Sequence, residues 1–156
     1  MKHNMRSFFK ILFPILTVCS MAFIFGNSLN SAEESSLQRG FVFQLLEDLV
    51  SFFAGKEVSL PSSFAPVLSK LAHVTEFFFF SVFFSLSLYV HGALFREQIW
   101  KELFCGLFVA LTDEHLQTIS PGRNPAVSDV MIDFSGVLIG FFTVWLITLA
   151  RKERNP

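Results

Sequence analysis

Four long apolar stretches dominate this chain of 156 residues. They lie at about residues 11–26, 66–90, 99–119 and 125–150. A helix of about 20 residues crosses the ~30 Å hydrocarbon core of a bilayer, and these stretches reach or approach that length. Because a helix satisfies its own backbone hydrogen bonds in lipid, the pattern predicts an all-α integral membrane bundle of four transmembrane helices.

Composition supports a membrane protein and excludes other classes. Hydrophobic residues make up 52% of the chain, charged residues make up 16%, and 22 positions are Phe. A soluble chain of this size buries only about 70% of its surface and could not hide that much apolar area from water. A disordered chain would be far less hydrophobic, and a net charge of −1 lacks the basic excess of a nucleic-acid-binding protein. We therefore expect one membrane domain over residues 1–156 and no nucleic-acid partner.

The distribution of Lys and Arg predicts the orientation, because cytoplasmic segments near membrane spans carry an excess of them. With the N-terminus inside, the cytoplasmic side holds Lys2, Arg6, Lys10, Arg96, Lys101, Arg151, Lys152 and Arg154, and the outer side holds Arg39, Lys56, Lys70 and Arg123. This excess predicts a multi-pass protein with both termini in the cytoplasm. The charges between spans two and three, Arg96, Glu97, Lys101 and Glu102, are then expected to be solvated and to set the topology.

Residues 27–65 form an outer loop in this topology. Within the loop, apolar residues recur at helical spacing, namely Leu37, Phe41, Leu45, Leu49, Phe52 and Phe53. Polar residues lie opposite them, and Gly55 is placed to end the helix. The pattern predicts an amphipathic helix that lies at the membrane interface or covers the bundle, with a partner-binding motif as the alternative.

Polar and charged residues cluster near the outer ends of the last three spans. Spans two and four begin at the outer surface in this topology, and span three ends there, so their polar residues lie at a similar depth. The set consists of Lys70, His73, Glu76, Asp113, Glu114, Gln117, Arg123, Asp129 and Asp133. A charge at the centre of a membrane helix costs about 2.5–3.5 kcal/mol, so we expect Glu76 and Asp133, which lie farther along their helices from the outer surface, to face the interior of the bundle.

The residue types in this set indicate two roles. A histidine close to carboxylates can move protons, and the candidate catalytic residues are His73, Glu76, Asp113 and Glu114. Cations and amides can bind an anionic headgroup, and Arg suits two-pronged contacts with phosphate or carboxylate. The candidate ligand-binding residues are Lys70, Gln117, Arg123, Asp129 and Asp133. Asp129 is equally explained as an acid that stabilises the first turn of its helix.

Two local contacts are expected around span three. Lys70 lies near the start of span two, and Asp113 and Glu114 lie near the end of span three, where the helix dipoles disfavour these charges. An ion pair between Lys70 and either carboxylate would offset this, so we predict one. In the following turn, Asn124 is predicted to cap span four and Pro125 to open it.

No metal, cofactor or disulfide is expected. His73, Asp113 and Glu114 could share an ion, but their spacing matches no standard metal motif. Cys19 and Cys105 both lie in apolar runs, where a thiol behaves as a small hydrophobic group.

Three of these motifs resemble the signature of the VanZ-like family. They are Lys70-Leu-Ala-His73-Val-Thr-Glu76-Phe, Asp113-Glu114-His-Leu-Gln117 followed by Pro121-Gly122-Arg123, and Ser128-Asp129 through Asp133 to Gly136 and Gly140. The polar segment Asn27-Ser28-Leu-Asn-Ser31 is similar to a weaker motif of the family. Asp133 departs from the pattern, since the family often has Asn at that position. The resemblance implies a small multi-span protein of the bacterial cytoplasmic membrane, with a namesake linked to low-level resistance to the glycopeptide teicoplanin, and it implies no agreed reaction.

Two classes of function are consistent with the sequence. The first is an outer-leaflet site for an anionic lipid headgroup or a lipid-linked cell-wall precursor, with membrane lipids as partners. Its enzymatic form is a hydrolase or transferase that acts on such a lipid through His73 and either Glu114 or Asp113. The second is a non-enzymatic protein whose polar network locks the bundle, helped by Gly136 and Gly140, because small residues let helices approach closely.

Overall fold

The computed structural model describes residues 2–154, which form five α-helices and contain no strand. The helices are α1 (Lys2–Ser28), α2 (Ala32–Ala54), α3 (Phe64–Val90), α4 (Phe95–Thr118) and α5 (Val127–Arg154). Each of the four predicted spans overlaps one helix, and the helix predicted in the outer loop is α2. The all-α class is therefore confirmed.

Three of the helices in residues 2–154 are long and apolar enough to cross a membrane. Their apolar stretches are Met5–Ser28, Phe64–Val90 and Val127–Arg151. The exception among the predicted spans is α4, which has 24 residues but carries charges near both ends, such as Arg96 and Glu114. Length and composition therefore distinguish three spans rather than the predicted four, because these charges lower the apolar character of α4.

The most extensive packing in the bundle is between α3 and α5, which run in the same direction. A Cβ atom placed on Gly136 would lie 2.5 Å from the carbonyl oxygen of Val74, and one placed on Gly140 would lie 2.6 Å from that of Phe78. Real Cβ contacts are longer than this, so the two backbones approach as only glycine allows.

Apolar side chains from α1, α3, α4 and α5 form the core. Its buried members are Ile24, Phe77, Phe80, Val109, Ala110, Val130 and Val137. A Cβ atom on Gly106 would lie 2.5 Å from Cγ1 of Val137, so α4 and α5 also approach closely. Many other large apolar side chains are exposed, which leaves the outside of the bundle apolar, as in proteins that contact lipid.

One glutamate is buried between α3 and α4. Glu102 is 1% exposed, and its carboxylate accepts hydrogen bonds from Ser85 Oγ and, at 3.1 Å, from Ser81 Oγ. The prediction that Glu102 is solvated is therefore wrong. Glu97 is exposed, and five residues at 3.6 residues per turn place Glu102 on a different face of α4.

The start of α5 differs from the prediction. The helix begins at Val127 rather than at Pro125. Glu114 of α4 accepts a hydrogen bond from the backbone N–H of Ala126, which immediately precedes the helix. Glu114 of the neighbouring helix α4 therefore caps the start of α5, whereas the prediction named Asn124 as the cap.

The outer-loop helix α2 ends as predicted, with Gly55 as its C-terminal cap at φ 66°, a left-handed conformation that glycine adopts without strain. None of its residues is buried. The predicted apolar face is exposed along its length, at Leu37, Phe41, Leu45, Leu49, Phe52 and Phe53. An uncovered apolar face of this kind fits a helix that lies at the membrane interface.

A capping box closes the N-terminus of α2. The backbone N–H and the hydroxyl of Ser31 donate to Glu34 Oε2 at 2.8 and 2.9 Å, and the Glu34 N–H donates to Ser31 Oγ at 3.2 Å. These hydrogen bonds, chiefly the one from the backbone of Ser31, hold the pKa of Glu34 below its usual value of 4.5. The stabilisation is complete above that value and is lost as the pH falls through the lowered pKa.

We therefore expect acidification to loosen the first turn of α2. Hydrogen-exchange protection at residues 32–35, corrected for intrinsic rates, should fall as the pH drops below about 4.5. Ser31→Ala should lower this protection at neutral pH and weaken its pH dependence without removing it, because the backbone N–H of residue 31 still donates to Glu34. If neither acidification nor Ser31→Ala changes this protection, the capping box does not stabilise the first turn of α2.

The α1–α2 junction is joined to the α4–α5 turn. The hydrogen bonds run from Ala32 N–H to Pro121 O (3.0 Å), from Ser120 Oγ to Ser28 O (2.7 Å), and from Arg123 Nε and Nη2 to Asn30 O and Asn27 O (3.4 Å each). A Cβ on Gly122, at φ 73°, would lie 3.1 Å from the Cβ of Ala32. Two turns that are distant in sequence therefore form one structural unit.

Candidate functional site

Polar residues from four helices meet at one end of the bundle, where α1 and α4 end and α3 and α5 begin. We call this the polar end. It contains Asn27 and Ser28 of α1, Lys70, His73 and Glu76 of α3, Asp113, Glu114 and Gln117 of α4, and Asp129 and Asp133 of α5. The alternating course of the helices is what brings these distant positions to one level.

His73, Asp113 and Asp133 lie closest together within the polar end. One donor atom of each lies within 4.8 Å of the other two. His73 Nδ1 and Asp133 Oδ1 are 3.3 Å apart, which is an ion-pair distance. Neither atom is in a hydrogen bond, and Asp133 Oδ2 is not in one either. Because Asp133 is 0% exposed, both of its carboxylate oxygens are held away from water without a hydrogen-bond donor.

Hydrogen bonds from α1 and α4 orient two other carboxylates. Asp113 is buried and accepts from Ser28 Oγ and, at 3.0 Å, from Gln117 Nε2. Glu76 accepts from Asn27 Nδ2 at 2.9 Å. The polar segment at the end of α1 therefore positions two of the candidate catalytic residues.

The ion pair predicted for Lys70 is not formed. Among the described residues, the basic side chains in ion pairs are those of His73 and Lys101, and Lys70 is exposed. The prediction is wrong because Asp113 and Glu114 receive their hydrogen bonds from neutral groups of neighbouring segments. One oxygen of Glu114, Oε2, is buried without a hydrogen bond.

Two cavities open at the polar end. The larger has a volume of about 550 Å³ and lies among α1, α2 and α3, with Glu76 in its wall. The smaller has a volume of about 220 Å³, and its wall includes Lys70, Gln117, Asp129 and Asp133. Arg39, His73 and Arg123 border both cavities. Of the candidate site residues, Asp113 and Glu114 line neither.

Sequence reasoning missed Arg39, because α2 was interpreted through its apolar face. Ser35, Gln38, Arg39 and Val42 line the larger cavity. Their offsets of three, four and seven residues place them on one face of the helix. Arg39 is the one basic residue in α2, and this isolated cation is the signal that could have identified it.

One known protein family matches most of the chain. The VanZ/LLP1 family model matches residues 13–148. The chain belongs to the VanZ/LLP1 family. The resemblance seen in the motifs is therefore confirmed, and the match includes every residue that lines the two cavities. No curated protein and no solved structure matches the chain at a significant level.

Family membership and the apolar helices together identify a VanZ/LLP1 membrane protein. At its polar end, Arg39, Lys70 and Arg123 can attract an anion. His73 and Asp133 are close enough to hold a shared proton or a cation. The arrangement can thus serve binding and acid–base chemistry.

Proposed function

We propose that this VanZ/LLP1 protein binds the anionic headgroup of a lipid, or of a lipid-linked cell-wall precursor, in the cavities of its polar end. The observation that carries the proposal is the mixed lining of the larger cavity. Arg39 and Arg123 supply its cations, whereas Phe23, Val42 and Leu71 supply an apolar wall. A charged headgroup attached to acyl or polyprenyl chains has the same two-part character.

Three cations from separate segments support binding of a phosphate. Arg39 comes from α2, Lys70 from α3 and Arg123 from the α4–α5 turn. The guanidinium of Arg123 is positioned by the carbonyls that it contacts in the α1–α2 junction, and its remaining N–H donors match phosphate geometry. The N-termini of α3 and α5 lie at the same end, where their dipoles also favour an anion.

The proposal includes a four-span topology with the polar end in the outer leaflet. α4 packs against α1 and α5. In this topology it therefore spans the membrane beside them. Its carboxylates Glu102, Asp113 and Glu114 are buried, so neighbouring helices shield them from lipid. The excess of Lys and Arg at the opposite end favours cytoplasmic termini in a bacterial cytoplasmic membrane.

Binding of anionic lipid is expected to depend on Arg39 and Arg123. A charge-assisted hydrogen bond contributes about 1.5–3 kcal/mol, so Arg39→Gln or Arg123→Gln should weaken binding about 10-fold or more. Native mass spectrometry of the full chain with phosphatidylglycerol, with a polyprenyl pyrophosphate and with phosphatidylcholine would measure this. The first two lipids separate a membrane-lipid headgroup from a cell-wall carrier, and the third reports binding without a net negative charge.

Arg96→Gln is the matched control, because Arg96 is an exposed arginine at the opposite end of the bundle. This variant should bind all three lipids as the wild type does. Equal affinity for anionic and zwitterionic lipids in the wild type, or equal losses in all three variants, would refute the proposed site. We further propose that this binding accounts for a role in glycopeptide resistance, so Arg123→Gln should also remove any teicoplanin resistance that expression of the wild type confers.

A second candidate function is hydrolysis or group transfer on the bound lipid. The contact between His73 and Asp133 favours it, since a carboxylate at 3.3 Å from Nδ1 can orient an imidazole as a general base. In this proposal the catalytic carboxylate beside His73 is that of Asp133, in place of Glu114 or Asp113. His73→Gln should then abolish resistance while lipid affinity stays unchanged, and unchanged resistance in this variant would exclude the enzymatic form.

A further inference from the structure

We propose that His73, Asp113 and Asp133 form a binding site for a divalent metal ion, with zinc as the metal that suits their donors. The proposal goes beyond lipid binding and does not depend on it. Sequence spacing does not indicate such a site, because its three members come from α3, α4 and α5. The proximity of the three residues in the folded bundle indicates the site.

The separation of the donor atoms fits a shared ion. Two donors that are each about 2.1 Å from one tetrahedral zinc ion lie about 3.4 Å from each other. His73 Nδ1 and Asp133 Oδ1 are 3.3 Å apart, and neither takes part in a hydrogen bond. A donor atom of Asp113 lies within 4.8 Å of both, so a small side-chain rotation completes a three-donor set.

The environment of Asp133 points independently to a cation. Its side chain is fully buried, and both carboxylate oxygens lack a hydrogen-bond donor. Buried polar atoms of native proteins nearly always have a hydrogen-bond partner, and the ion pair with His73 leaves both oxygens of Asp133 without one. A divalent ion beside Oδ1 would supply the missing partner.

The other two residues have features common among metal ligands. Asp113 is held by hydrogen bonds from Ser28 and Gln117, and such outer contacts fix the orientation of coordinating carboxylates. Each of its oxygens keeps a second lone pair for an ion. The side chain of His73 is 27% exposed and borders both cavities, which provides an entry path and an open coordination position.

The charge of the whole polar end agrees with a bound cation. The surrounding helices contribute the carboxylates Glu76, Asp113, Glu114, Asp129 and Asp133 and the cations Arg39 and Lys70, and the α4–α5 turn contributes Arg123. Carboxylates therefore outnumber cations, and a divalent ion offsets the excess negative charge.

The donor types select zinc over the common alkaline-earth ions. Zinc binds imidazole nitrogen and carboxylate oxygen in three-residue sites that keep one position open. Calcium requires six to eight oxygen ligands, and magnesium keeps most of its water shell. One imidazole with two carboxylates fits neither of these preferences.

Zinc titration of the purified full chain tests the site. The protein would be purified without a polyhistidine tag, treated with a chelator, and titrated with Zn²⁺ by isothermal calorimetry in the presence of excess Mg²⁺. We expect one zinc ion per chain. Asp133→Asn and Asp113→Asn preserve side-chain shape and should weaken zinc binding about 10-fold or more, as should His73→Gln.

His91→Gln and Glu97→Gln are matched controls, because both residues are exposed and lie at the opposite end of the bundle. They should leave zinc affinity unchanged. X-ray absorption at the zinc edge of the wild type needs no variant and should show nitrogen and oxygen ligands without sulfur. Absence of stoichiometric zinc, affinity unaffected by Asp133→Asn, displacement by Mg²⁺, or sulfur ligands from Cys19 or Cys105 would each overturn the proposal.

Discussion

Replacing Gly136 or Gly140 with alanine is expected to destabilise the bundle strongly, because the new Cβ atom would lie 2.5–2.6 Å from a backbone oxygen of α3. A backbone oxygen cannot move aside as a flexible side chain can, so α3 and α5 must separate. Overpacking of this kind costs about 1–3 kcal/mol per site, and the double variant should lose more. The midpoint of thermal unfolding in detergent, followed by circular dichroism, measures the loss.

Gly26→Ala and Gly40→Ala are the matched controls. Both glycines are helical, and a Cβ at either position meets no atom within 4 Å. Alanine has the higher helix propensity by about 1 kcal/mol, so these variants should be as stable as the wild type or more stable. Equal midpoints for Gly136→Ala, Gly140→Ala and the controls would mean that α3 and α5 do not pack through their glycines.

Replacing Glu102 with alanine is expected to be the most damaging change away from the polar end. The variant loses a fully buried side chain and leaves the Ser85 hydroxyl without its acceptor. Ser81 keeps its hydrogen bond to the carbonyl of Val137 at 2.8 Å. A cavity together with lost hydrogen bonds costs about 2–4 kcal/mol. Urea or thermal unfolding of the detergent-solubilised protein would report this loss.

Glu97→Ala provides the control on the same helix. Glu97 forms an exposed pair with Lys101 at 3.9 Å, and exposed pairs contribute about 0–1 kcal/mol. Glu102→Gln keeps the side-chain volume and one acceptor oxygen, so its stability should lie between those of the wild type and Glu102→Ala. Similar unfolding midpoints for Glu97→Ala and Glu102→Ala would contradict the burial of Glu102.

The helices and the level of the polar residues could be predicted from the sequence, because both depend on hydropathy and chain direction. The apolar stretches mark the helices, and alternating direction places His73 and Asp133 at the same end. Gly55 was also recognisable as a helix end, since its left-handed conformation favours glycine.

The individual contacts could not be predicted, because they depend on how each helix is rotated and where it begins. A residue one position away on a helix points about 100° elsewhere, so Asp113 faces Ser28 and Gln117 while Glu114 reaches Ala126. The prediction paired Lys70 with these acids from charge and helix dipoles, and it did not include the neutral groups that donate hydrogen bonds to them. Two signals marked Asp133 in the sequence, namely its place among the outer polar residues and its departure from the pattern that the family resemblance implies.

The joined α1–α2 and α4–α5 connections determine where the chain can be tagged for topology mapping. An epitope or protease site inserted within residues 29–32 or 119–123 would break the hydrogen bonds between these turns and displace the guanidinium of Arg123. Lys56 and Glu57, in the connection between α2 and α3, are exposed and tolerate such an insertion better. Accessibility reporters placed there would reveal which face of the membrane the polar end occupies without disturbing it.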